Sequence, residues 1–349
     1  MTTIPPTMSG VLMTGHGGYE MLSYRHDIAV PTPAAGEVLI RVRAAGVNNT
    51  DLNTRIGWYS KSGDDADDAS WSGTALQFPR IQGADVCGEI AAVGAGVSET
   101  RIGERVLIEP SLHEANGAPL PQAWYFGSEC DGGFAQYTKV AARHAHAITS
   151  DLSDAELASF PCSYSTAENM LTRAGLKAGE TVLITGASGG VGSAAIQLAK
   201  ARGARVIAIT SPSKAAELRA IGADETFDRN TDLRVTLGHS SVDVVIDLVA
   251  GPAWPQLPDV LRPSGRYAVS GAIGGPLVEM DVRTLYLKDL SFFGCTVLNL
   301  EVFPNLVKLI ESGAIKPLVA QTWPLEKIVD AQKAFDKKSH IGKIVLNIP

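Results

Sequence analysis

The N-terminal part of the chain alternates short apolar runs with glycine-rich turns. The pattern is clearest in VLIRVRAAGV (38–47), GEIAAVGAGV (88–97) and GERVLIEP (103–110). Alternating apolar and polar positions interrupted by glycine are typical of β-strands joined by tight turns. We therefore expect the first 150 residues to be mostly β.

From Ser153 onward, helical and strand patterns alternate. A helical pattern covers 153–175, and the segments after it alternate strand, helix and strand: TVLIT (181–185), GSAAIQLAKARG (192–203) and RVIAIT (205–210), with further strands at 242–249, 265–271 and 291–297. Strands separated by helices of about ten residues indicate right-handed βαβ units in a parallel sheet. The sequence thus predicts an α/β fold with a doubly wound parallel sheet over 154–298. Two amphipathic helices and a closing strand are expected in 299–349.

A glycine-rich turn joins the first strand and helix of that sheet. In TVLITGASGGVGSAAIQLAK, Gly189 lets the backbone approach a pyrophosphate, and Gly192 lets the helix pack closely against the strand. The N–H groups at the start of the helix attract an anion. The complete strand, turn and helix pattern predicts a dinucleotide site formed by Ser188, Gly189, Gly190, Val191 and Gly192.

The same residues match a second motif. GASGG fits the G-x-S-x-G turn of α/β-hydrolases, with Ser188 as nucleophile and Asp247 and His340 following in the required order. However, Gly192 continues the dinucleotide pattern, and His340 directly precedes the final strand. We favour nucleotide binding over a serine hydrolase.

The end of the second strand indicates which nucleotide is bound. RVIAIT is followed by SPSK, and no acid occurs before Glu217 to accept hydrogen bonds from a ribose 2′-hydroxyl. Ser211, Ser213 and Lys214 offer hydroxyl donors and a cation, which suit a 2′-phosphate. We therefore expect NADPH (NADP⁺) as cofactor. Arg229 could also bind this phosphate, and a plain surface charge explains it equally well.

Composition excludes several function classes. Hydrophobic residues make up 45% and charged residues 19% of the 349 residues, which is typical of a soluble globular protein, here of two domains. The net charge of -7 disfavours nucleic acids and anionic membranes as partners. The four cysteines form neither a CxxC pair nor a dense disulfide framework, which fits a reducing cytoplasm. No apolar run approaches the roughly 20 residues that span a bilayer.

Stretches along nearly the whole chain carry a family resemblance: GEVLIRVRAAGVNNTDL, IQGADVCGEIAAVGAGV, GERV, DGGFAQY, LKAGETVLITGASGGVGSAAIQLAKARGARVIAI and HIGKIVLNIP. Together they resemble the medium-chain dehydrogenase/reductase superfamily, in its zinc-free quinone oxidoreductase and enoyl reductase branch. The resemblance implies a GroES-like catalytic domain over 1–153, a Rossmann NADP-binding domain over 154–298 and a return to the catalytic domain over 299–349. It also implies a homodimer through the strand around Phe292–Val297.

The resemblance bears on metal binding. Zinc alcohol dehydrogenases of this superfamily hold their catalytic zinc with a Cys, a His and a further Cys or acid, and the matching positions here are Asn48, Ala84 and Cys162. A catalytic zinc needs about three protein ligands, so we expect no metal. His144 and His146 have no third ligand nearby in sequence, and we interpret them as structural.

The resemblance places the catalytic residues in VNNTDLNTRIGWY (47–59). Without zinc, the Asn48 amide, the Tyr59 hydroxyl and backbone N–H groups would polarise the substrate oxygen. Tyr59 or water would then protonate the substrate, and Asp51 would orient Asn48 or its loop. The structural alternative makes Asn48 a turn residue, Asp51 a helix cap and Tyr59 a packed aromatic residue. We favour catalysis for Asn48 and Tyr59. The acid-, serine- and glycine-rich segment 60–76 is longer than in common quinone reductases, and we expect a mobile surface loop there.

Two loops after later strands should face the nicotinamide, because open α/β sheets bind ligands at the carboxyl ends of their strands. They are SGAIGG (270–275) and CTVLN (295–299). The remaining expected cofactor-binding residues are Thr166, Gly271, Ile273 and Thr296.

The predicted function is NADPH-dependent, zinc-independent hydride transfer to a quinone or to an activated C=C bond of a small molecule. An alcohol dehydrogenase or carbonyl reductase is the main alternative. A nucleotide-binding protein without enzymatic activity and a serine hydrolase using Ser188 are more remote ones.

Overall fold

The structure is a computed structural model that describes residues 4–61 and 69–349. It divides into two compact units. The β-rich unit comprises Met1–Cys162 and Pro317–Pro349, and the α/β unit comprises Ser163–Lys316. The two ends of the chain therefore fold together into one unit.

The strands in chain order are β1 Thr7–Met13, β2 Leu22–Ala29, β3 Glu37–Val47, β4 Asp85–Val93, β5 Arg105–Ile108, β6 Ser111–Ala115, β7 Ala118–Tyr125, β8 Tyr137–Ala141, β9 Ala145–Ala147, β10 Thr181–Ile184, β11 Arg205–Thr210, β12 Glu225–Asp228, β13 Val242–Asp247, β14 Leu261–Val269, β15 Ser291–Gly294, β16 Val319–Pro324 and β17 Lys343–Asn347. The helices are α1 Asn49–Arg55, α2 Asp154–Leu157, α3 Pro161–Arg173, α4 Gly190–Ala201, α5 Ala215–Ala220, α6 Leu233–Leu237, α7 Gln256–Val260, α8 Val282–Leu287, α9 Val302–Glu311 and α10 Ile328–Asp336. In the described residues, no helix has the length and apolarity needed to cross a membrane.

The main sheet of the β-rich unit has the order β16-β17-β3-β4-β5-β9, with β8 also paired to β3. Its central strand, β3, is buried along most of its length. At the end of β3, Gly46 pairs with Asp85 of β4, and Val47 pairs with Ile344 of β17. The first residues of β4 and β17 are thereby brought to the point where β3 ends and α1 begins.

The α/β unit contains a parallel sheet with the order β12-β11-β10-β13-β14-β15. Its strands carry the apolar core residues Leu183, Ile207 and Val245. β10 lies between β11 and β13, so the direction of strand addition reverses there, and a ligand crevice forms at the carboxyl ends of strands at such a point. The predicted doubly wound parallel sheet is confirmed.

The helical pattern over 153–175 forms two helices instead of one. Ser153 and Glu156 cap α2, since the Glu156 N–H donates to the Ser153 hydroxyl over 3.3 Å and the Ser153 N–H donates to the Glu156 carboxylate over 2.8 Å. Pro161 then begins α3. Proline lacks an N–H and is tolerated in the first turn of a helix, which explains a new start at this residue.

The boundaries between the units lie at 162/163 and 316/317, whereas the sequence suggested 153/154 and 298/299. Hydrogen bonds around Lys316 explain why the chain returns to the β-rich unit only at Pro317. The Lys316 carbonyl accepts from the Tyr164 hydroxyl over 2.7 Å, and its N–H donates to the Gln197 side chain over 2.9 Å. These bonds hold the chain as far as Lys316 against the α/β unit.

Candidate active site

The glycine-rich turn has the shape of a phosphate cradle. Gly186 adopts φ +57 after β10, and α4 begins without a side-chain cap at Gly189. A Cβ on Gly192 would lie 2.4 Å from the Gly186 carbonyl oxygen and 2.6 Å from the Ala187 Cα, whereas a Cβ on Gly189 would meet nothing closer than 3.5 Å. Gly192 therefore permits the close approach of helix and turn, and Gly189 keeps the open side of the turn free. These residues fit a dinucleotide pyrophosphate.

Ser188, Gly190 and Val191 lie on this turn and in the first turn of α4. The hydrolase alternative requires Asp247 to orient a histidine, but the Asp247 carboxylate is fully buried and already bonded. It accepts from the Thr185 hydroxyl over 2.5 Å, from the Tyr267 hydroxyl over 2.6 Å and from the N–H groups of residues 249 and 250. Its described partners include no histidine, so Asp247 acts as a structural residue that shapes the turn after β13.

The residues expected at the 2′-phosphate follow two neighbouring strands. Thr210 and Asp228 pair at the ends of β11 and β12, so Ser211 and Arg229 come next at the same edge of the sheet. Ser213 and Lys214 belong to a 3-10 turn, and the Ser211 and Ser213 hydroxyls lie 3.2 Å apart. Burial lowers the pKa of Lys214. A bound anion would offset the cost of removing this ammonium group from water.

The loops 270–275 and 295–299 are fixed to their neighbours. The Gly274 N–H donates to the Val249 carbonyl over 2.7 Å, and the Ser270 hydroxyl donates to the Cys295 carbonyl over 2.7 Å. The Asn169 side chain of α3 donates to the Val297 carbonyl over 3.1 Å. The expected cofactor-binding residues on or beside these loops are Gly271, Ile273, Thr296 and, on α3, Thr166.

In the β-rich unit, a buried ion pair lies where β3 ends. The Lys343 ammonium lies 2.5 Å from the Asp85 carboxylate, and the two side chains are 3% and 0% exposed. Lys343 also donates to the Asn48 side-chain oxygen. The Asn48 amide nitrogen donates to Asp85 over 2.8 Å and to the Gly46 carbonyl over 3.4 Å. The side chain of Asn48 is thus bonded within the protein at both its oxygen and its nitrogen.

Asp51 binds the loops around this ion pair. Its carboxylate accepts from the Asn48 N–H over 2.7 Å and from the Gly83 N–H over 3.2 Å. Burial raises the pKa of Asp51 to about 7. Near neutral pH, both the protonated and the ionised form of this carboxyl group are therefore populated. Its bonds to backbone N–H groups fix the start of α1.

Tyr59 lies near Asp51 and Cys162 and is half-buried. Burial raises its pKa, and hydrogen bonds with Thr50 and Asn53 oppose that effect. The nearby Cys162 and Asp51 raise the pKa further. Tyr59 is therefore a neutral phenol at physiological pH and can act as an acid but not as a base.

The segment after Tyr59 was expected to be a mobile loop over 60–76, and its described part corrects this. Residues 62–68 lie outside the described residues, but 69–76 are anchored to the β-rich unit. The Glu129 carboxylate accepts from the Ser72 N–H over 2.7 Å and from the Tyr125 N–H over 2.8 Å. One carboxylate therefore ties this segment to the end of β7.

Besides the adjacent Trp58, Tyr59 has Trp71 as an aromatic neighbour, and Trp71 in turn contacts Tyr125. Trp71 stacks on Tyr125 with ring centroids 4.3 Å apart and planes at 8°, and its ring lies 5.6 Å from that of Tyr59. The Tyr125 hydroxyl lies 2.9 Å from the Cys162 sulfur. Burial raises the pKa of the Cys162 thiol to about 12.

The residues at the expected zinc positions do not fit a metal. Asn48 is bonded to Asp85 and Lys343, Ala84 has no ligand atom, and the Cys162 sulfur lies 2.9 Å from the Tyr125 hydroxyl. The Lys343 ammonium already supplies a positive charge to Asn48 and Asp85. Throughout 4–61 and 69–349, no group of three or more His, Cys, Asp and Glu side chains has metal-binding geometry.

His144 and His146 both approach Glu109. The His144 Nδ1 lies 2.9 Å and the His146 Nε2 3.3 Å from its carboxylate. The His144 Nε2 accepts from the N–H groups of residues 113 and 114, over 3.0 and 3.2 Å. His144 is therefore a neutral imidazole that donates from Nδ1, which is a structural arrangement.

Several residues of this site were not predicted: Thr50, Trp71, Asp85, Tyr125 and Lys343. Two of them carried a signal in the sequence. Asp85 follows Ala84 at an expected ligand position, and Lys343 opens the apolar strand KIVLN, where a buried cation needs a buried anion. Trp71 had a weaker signal, as an aromatic residue in an otherwise polar segment.

The parallel sheet with its glycine cradle, together with the β-rich unit built from both chain ends, defines a nicotinamide-dependent oxidoreductase fold. Two family models match: Alcohol dehydrogenase GroES-like domain over residues 34–150 and Zinc-binding dehydrogenase over residues 190–312. The chain belongs to the medium-chain dehydrogenase/reductase superfamily, as its sequence suggested, and the GroES-like assignment is confirmed.

Full-length relatives are similar to the chain. Acryloyl-coenzyme A reductase of Metallosphaera sedula is 31% identical over 97% of this chain and 99% of its own. Quinone oxidoreductase of Homo sapiens is 29% identical over 99% of each chain. The crystal structure of a Sinorhizobium meliloti 1021 protein, provisionally described as an alcohol dehydrogenase, is 46% identical with a TM-score of 0.91, covering 100% of this chain and 99% of the other.

Proposed function

We propose that the protein is an NADPH-dependent reductase that transfers hydride to a quinone or to an activated C=C bond without a metal. The observation that carries the proposal is the buried Lys343–Asp85 ion pair, which bonds to Asn48 at one of the three expected zinc-ligand positions. Relatives named acryloyl-coenzyme A reductase and quinone oxidoreductase support these two substrate classes.

When bound, the nicotinamide supplies the hydride. Hydride addition to the β-carbon of an enone or enoyl thioester leaves an enolate, which then takes a proton at the α-carbon. Tyr59 is the donor in our proposal, because it is a neutral phenol in a half-buried position beside Asp51 and Cys162. A reduced quinone takes its protons on oxygen, where water can supply them.

We assign positioning roles to Asn48 and Asp51. The sequence suggested that the Asn48 amide donates to the substrate oxygen, but its nitrogen already donates to Asp85 and Gly46. We propose instead that Asn48 holds Lys343 and Asp85 together. Asp51 fixes the loop through its bond to the Asn48 N–H.

The cofactor preference rests on the ends of β11 and β12. Ser211, Ser213, Lys214 and Arg229 follow these two paired strands, and none of them is acidic. Hydroxyl donors and cations suit a 2′-phosphate, which carries close to two negative charges. We propose that NADPH is preferred over NADH.

A homodimer through the edge of the α/β sheet is part of the proposal. β15 is the last strand in the sheet order, and exposed apolar side chains lie close to it in sequence, among them Tyr286, Leu287, Val297 and Leu300. Apolar residues beside an open strand edge favour pairing with a second copy. A monomer in analytical ultracentrifugation at micromolar concentration would contradict this.

An alcohol dehydrogenase is the second candidate, because the Sinorhizobium meliloti protein is provisionally described as one. The two candidates differ in the polarising group. In a zinc-dependent alcohol dehydrogenase the metal polarises the aldehyde oxygen, and the described residues offer no metal ligand set for this role. Oxidation of simple alcohols faster than reduction of enones would favour this candidate.

The test is an NADPH-oxidation screen over quinones, enones, enoyl thioesters and saturated aldehydes, repeated with NADH. We expect turnover with the first three classes and higher kcat/KM with NADPH. In the same assay, Tyr59→Phe should lower kcat on the best enone or thioester by about 10²-fold, the contribution of a typical general acid, while quinone turnover changes little. Unchanged enone turnover in Tyr59→Phe would remove this residue from the mechanism.

A further inference from the structure

Three neighbouring strands of the α/β sheet are connected by one buried carboxylate. Asp247 is the last residue of β13, which pairs with β10 on one side and with β14 on the other. Its side chain accepts from the hydroxyl of Thr185, directly after β10, over 2.5 Å, and from the hydroxyl of Tyr267 in β14 over 2.6 Å. Asp247 and Tyr267 are 0% and 4% exposed. The carboxylate therefore bonds to residues of both flanking strands at the edge of the sheet where ligands bind.

The same carboxylate fixes the loop after β13. It accepts from the N–H groups of Val249 and Ala250 over 2.9 and 3.2 Å. Ala250 adopts φ +53 and ψ -136, a conformation that residues other than glycine rarely take. Backbone strain of this kind persists only where the surrounding structure enforces it. The bonds to Asp247 thus hold the loop in a shape that alanine alone would not favour.

The loop after β13 is closed against the next loop, 270–275, which is expected to face the nicotinamide. The Gly274 N–H donates to the Val249 carbonyl over 2.7 Å, and the Gly251 N–H donates to the Gly275 carbonyl over 3.1 Å. A Cβ on Gly251 would lie 2.3 Å from the Gly274 carbonyl oxygen. Because the two loops are in direct backbone contact, the shape of one determines the position of the other.

Thr185 extends this network to the phosphate cradle. It immediately precedes Gly186, the first glycine of the glycine-rich turn. Its hydroxyl donates to Asp247 and accepts from the Leu248 N–H over 3.0 Å. One hydroxyl group therefore connects the start of the cradle with the buried carboxylate and with the loop after β13.

Trp254 and Tyr267 complete the network on its other side. The Trp254 indole Nε1 lies 2.9 Å from the Tyr267 hydroxyl oxygen. An indole N–H is a donor only, so the Tyr267 oxygen accepts from it, and the Tyr267 hydrogen is donated to Asp247. Burial and then the charge of Asp247 raise the pKa of Tyr267, so the hydroxyl keeps this hydrogen. Both bonds of the tyrosine hydroxyl therefore have a fixed direction.

We propose that Asp247, Thr185 and Tyr267 form a positioning network that sets the backbone receiving the nicotinamide half of the cofactor before the cofactor binds. The inference rests on the proposed function, in which NADPH occupies this crevice. A backbone that is already ordered costs less to immobilise on binding. The adenosine half would lie at the ends of β11 and β12, whereas the network joins β10, β13 and β14. The network should therefore strengthen binding of the nicotinamide half and leave that of the adenosine half unchanged.

The test compares the dissociation constants of NADPH and of its adenosine fragment 2′,5′-ADP, both measured by titration calorimetry. Tyr267→Phe removes one hydroxyl of the network, and Thr185→Val replaces the other with a methyl group. We expect each variant to weaken NADPH binding about tenfold, the effect of one lost buried hydrogen bond, and to change 2′,5′-ADP binding less than about twofold. Thr185→Ser keeps the hydroxyl and should bind NADPH as the wild type does.

A matched control separates positioning from stability. Tyr164 is another buried tyrosine of the α/β unit, and its hydroxyl donates to the Lys316 carbonyl. Tyr164→Phe should lower the melting temperature and leave both dissociation constants unchanged. A general loss of stability is thereby distinguished from a specific loss of NADPH affinity.

Ala250→Gly tests the network without removing a hydrogen bond. Glycine adopts the backbone angles of residue 250 without strain, so we expect an unchanged or higher melting temperature. NADPH binding should nevertheless weaken, because the loop after β13 gains freedom that the cofactor must remove. If Tyr267→Phe and Thr185→Val do not fold, this variant decides alone.

The outcomes keep the inference distinct from the proposed function. Equal weakening of NADPH and 2′,5′-ADP in Tyr267→Phe and Thr185→Val, or NADPH binding of wild-type strength in Ala250→Gly, would overturn the inference alone. A wild-type preference for NADH and 5′-AMP would contradict the proposed cofactor, and the same comparison with that pair of ligands would then decide the inference. If the wild type binds no nicotinamide nucleotide, both fail.

Discussion

Lys343 places a buried positive charge at the end of β3. The ammonium group is buried with Asp85 and Asn48, and the Cys162 N–H donates to the other Asp85 oxygen over 2.5 Å. Burying two charges is costly, and the pair is tolerated because hydrogen bonds satisfy its remaining atoms. The positive charge beside Asp85 and Asn48 is thus supplied by the Lys343 side chain.

Removing the lysine should therefore destabilise the protein. We expect Lys343→Met to lower the free energy of unfolding by about 3–5 kcal/mol, because Asp85 is left buried without its cation. Urea unfolding measures the effect, with Lys308→Met, an exposed lysine of α9, as the control. The double variant Lys343→Met with Asp85→Asn should recover part of the loss. A stability equal to that of the wild type in Lys343→Met would contradict the buried ion pair.

Among the elements, the strand–turn–helix unit at β10 and α4 follows most directly from its sequence. The two glycines of its motif have different tasks, since a Cβ at Gly192 would collide with the backbone at residues 186 and 187, while one at Gly189 would not. The backbone of Gly189, with φ -74 and ψ 173, is also accessible to alanine.

Alanine substitutions at Gly192 and Gly189 should therefore have different effects on stability. Gly192→Ala should lower stability by about 1–3 kcal/mol through overpacking and weaken NADPH binding as the helix shifts. Gly189→Ala should keep the melting temperature and still weaken NADPH binding, because its methyl group intrudes on the phosphate. Thermal unfolding and NADPH fluorescence titration measure both effects. Equal stability of the two variants would count against the close approach at Gly192.

Other elements could not be predicted from local pattern. The strands of the sheet could be predicted from periodicity, and the start of α3 from Pro161. The anchoring of 69–76 could not, because it depends on Glu129 and Tyr125, which are distant in sequence. Composition in that segment is dominated by polar residues, which hides the one aromatic residue that packs. Likewise, Asp85 and Lys343 become partners only because β4 and β17 both pair with β3.

At the scale of the whole molecule, family membership and site chemistry give different information. The model named Zinc-binding dehydrogenase matches residues 190–312, whereas the positions that would hold zinc, Asn48, Ala84 and Cys162, precede that range. The match of this family model over 190–312 therefore supports the nucleotide-binding fold, and it gives no information about zinc ligands. The sequence sufficed for the fold class and for the loss of two zinc ligands. The buried lysine required the three-dimensional pairing of strands.

The most direct measurement of the central claim is enone reduction by protein from zinc-supplemented culture, before and after chelation, with metal content determined on the same samples. We expect less than about 0.1 zinc per chain, well below the one ion that a catalytic site holds, and the same kcat with NADPH in both samples. A stoichiometric zinc content, with activity that chelation abolishes and added Zn²⁺ restores, would contradict the account.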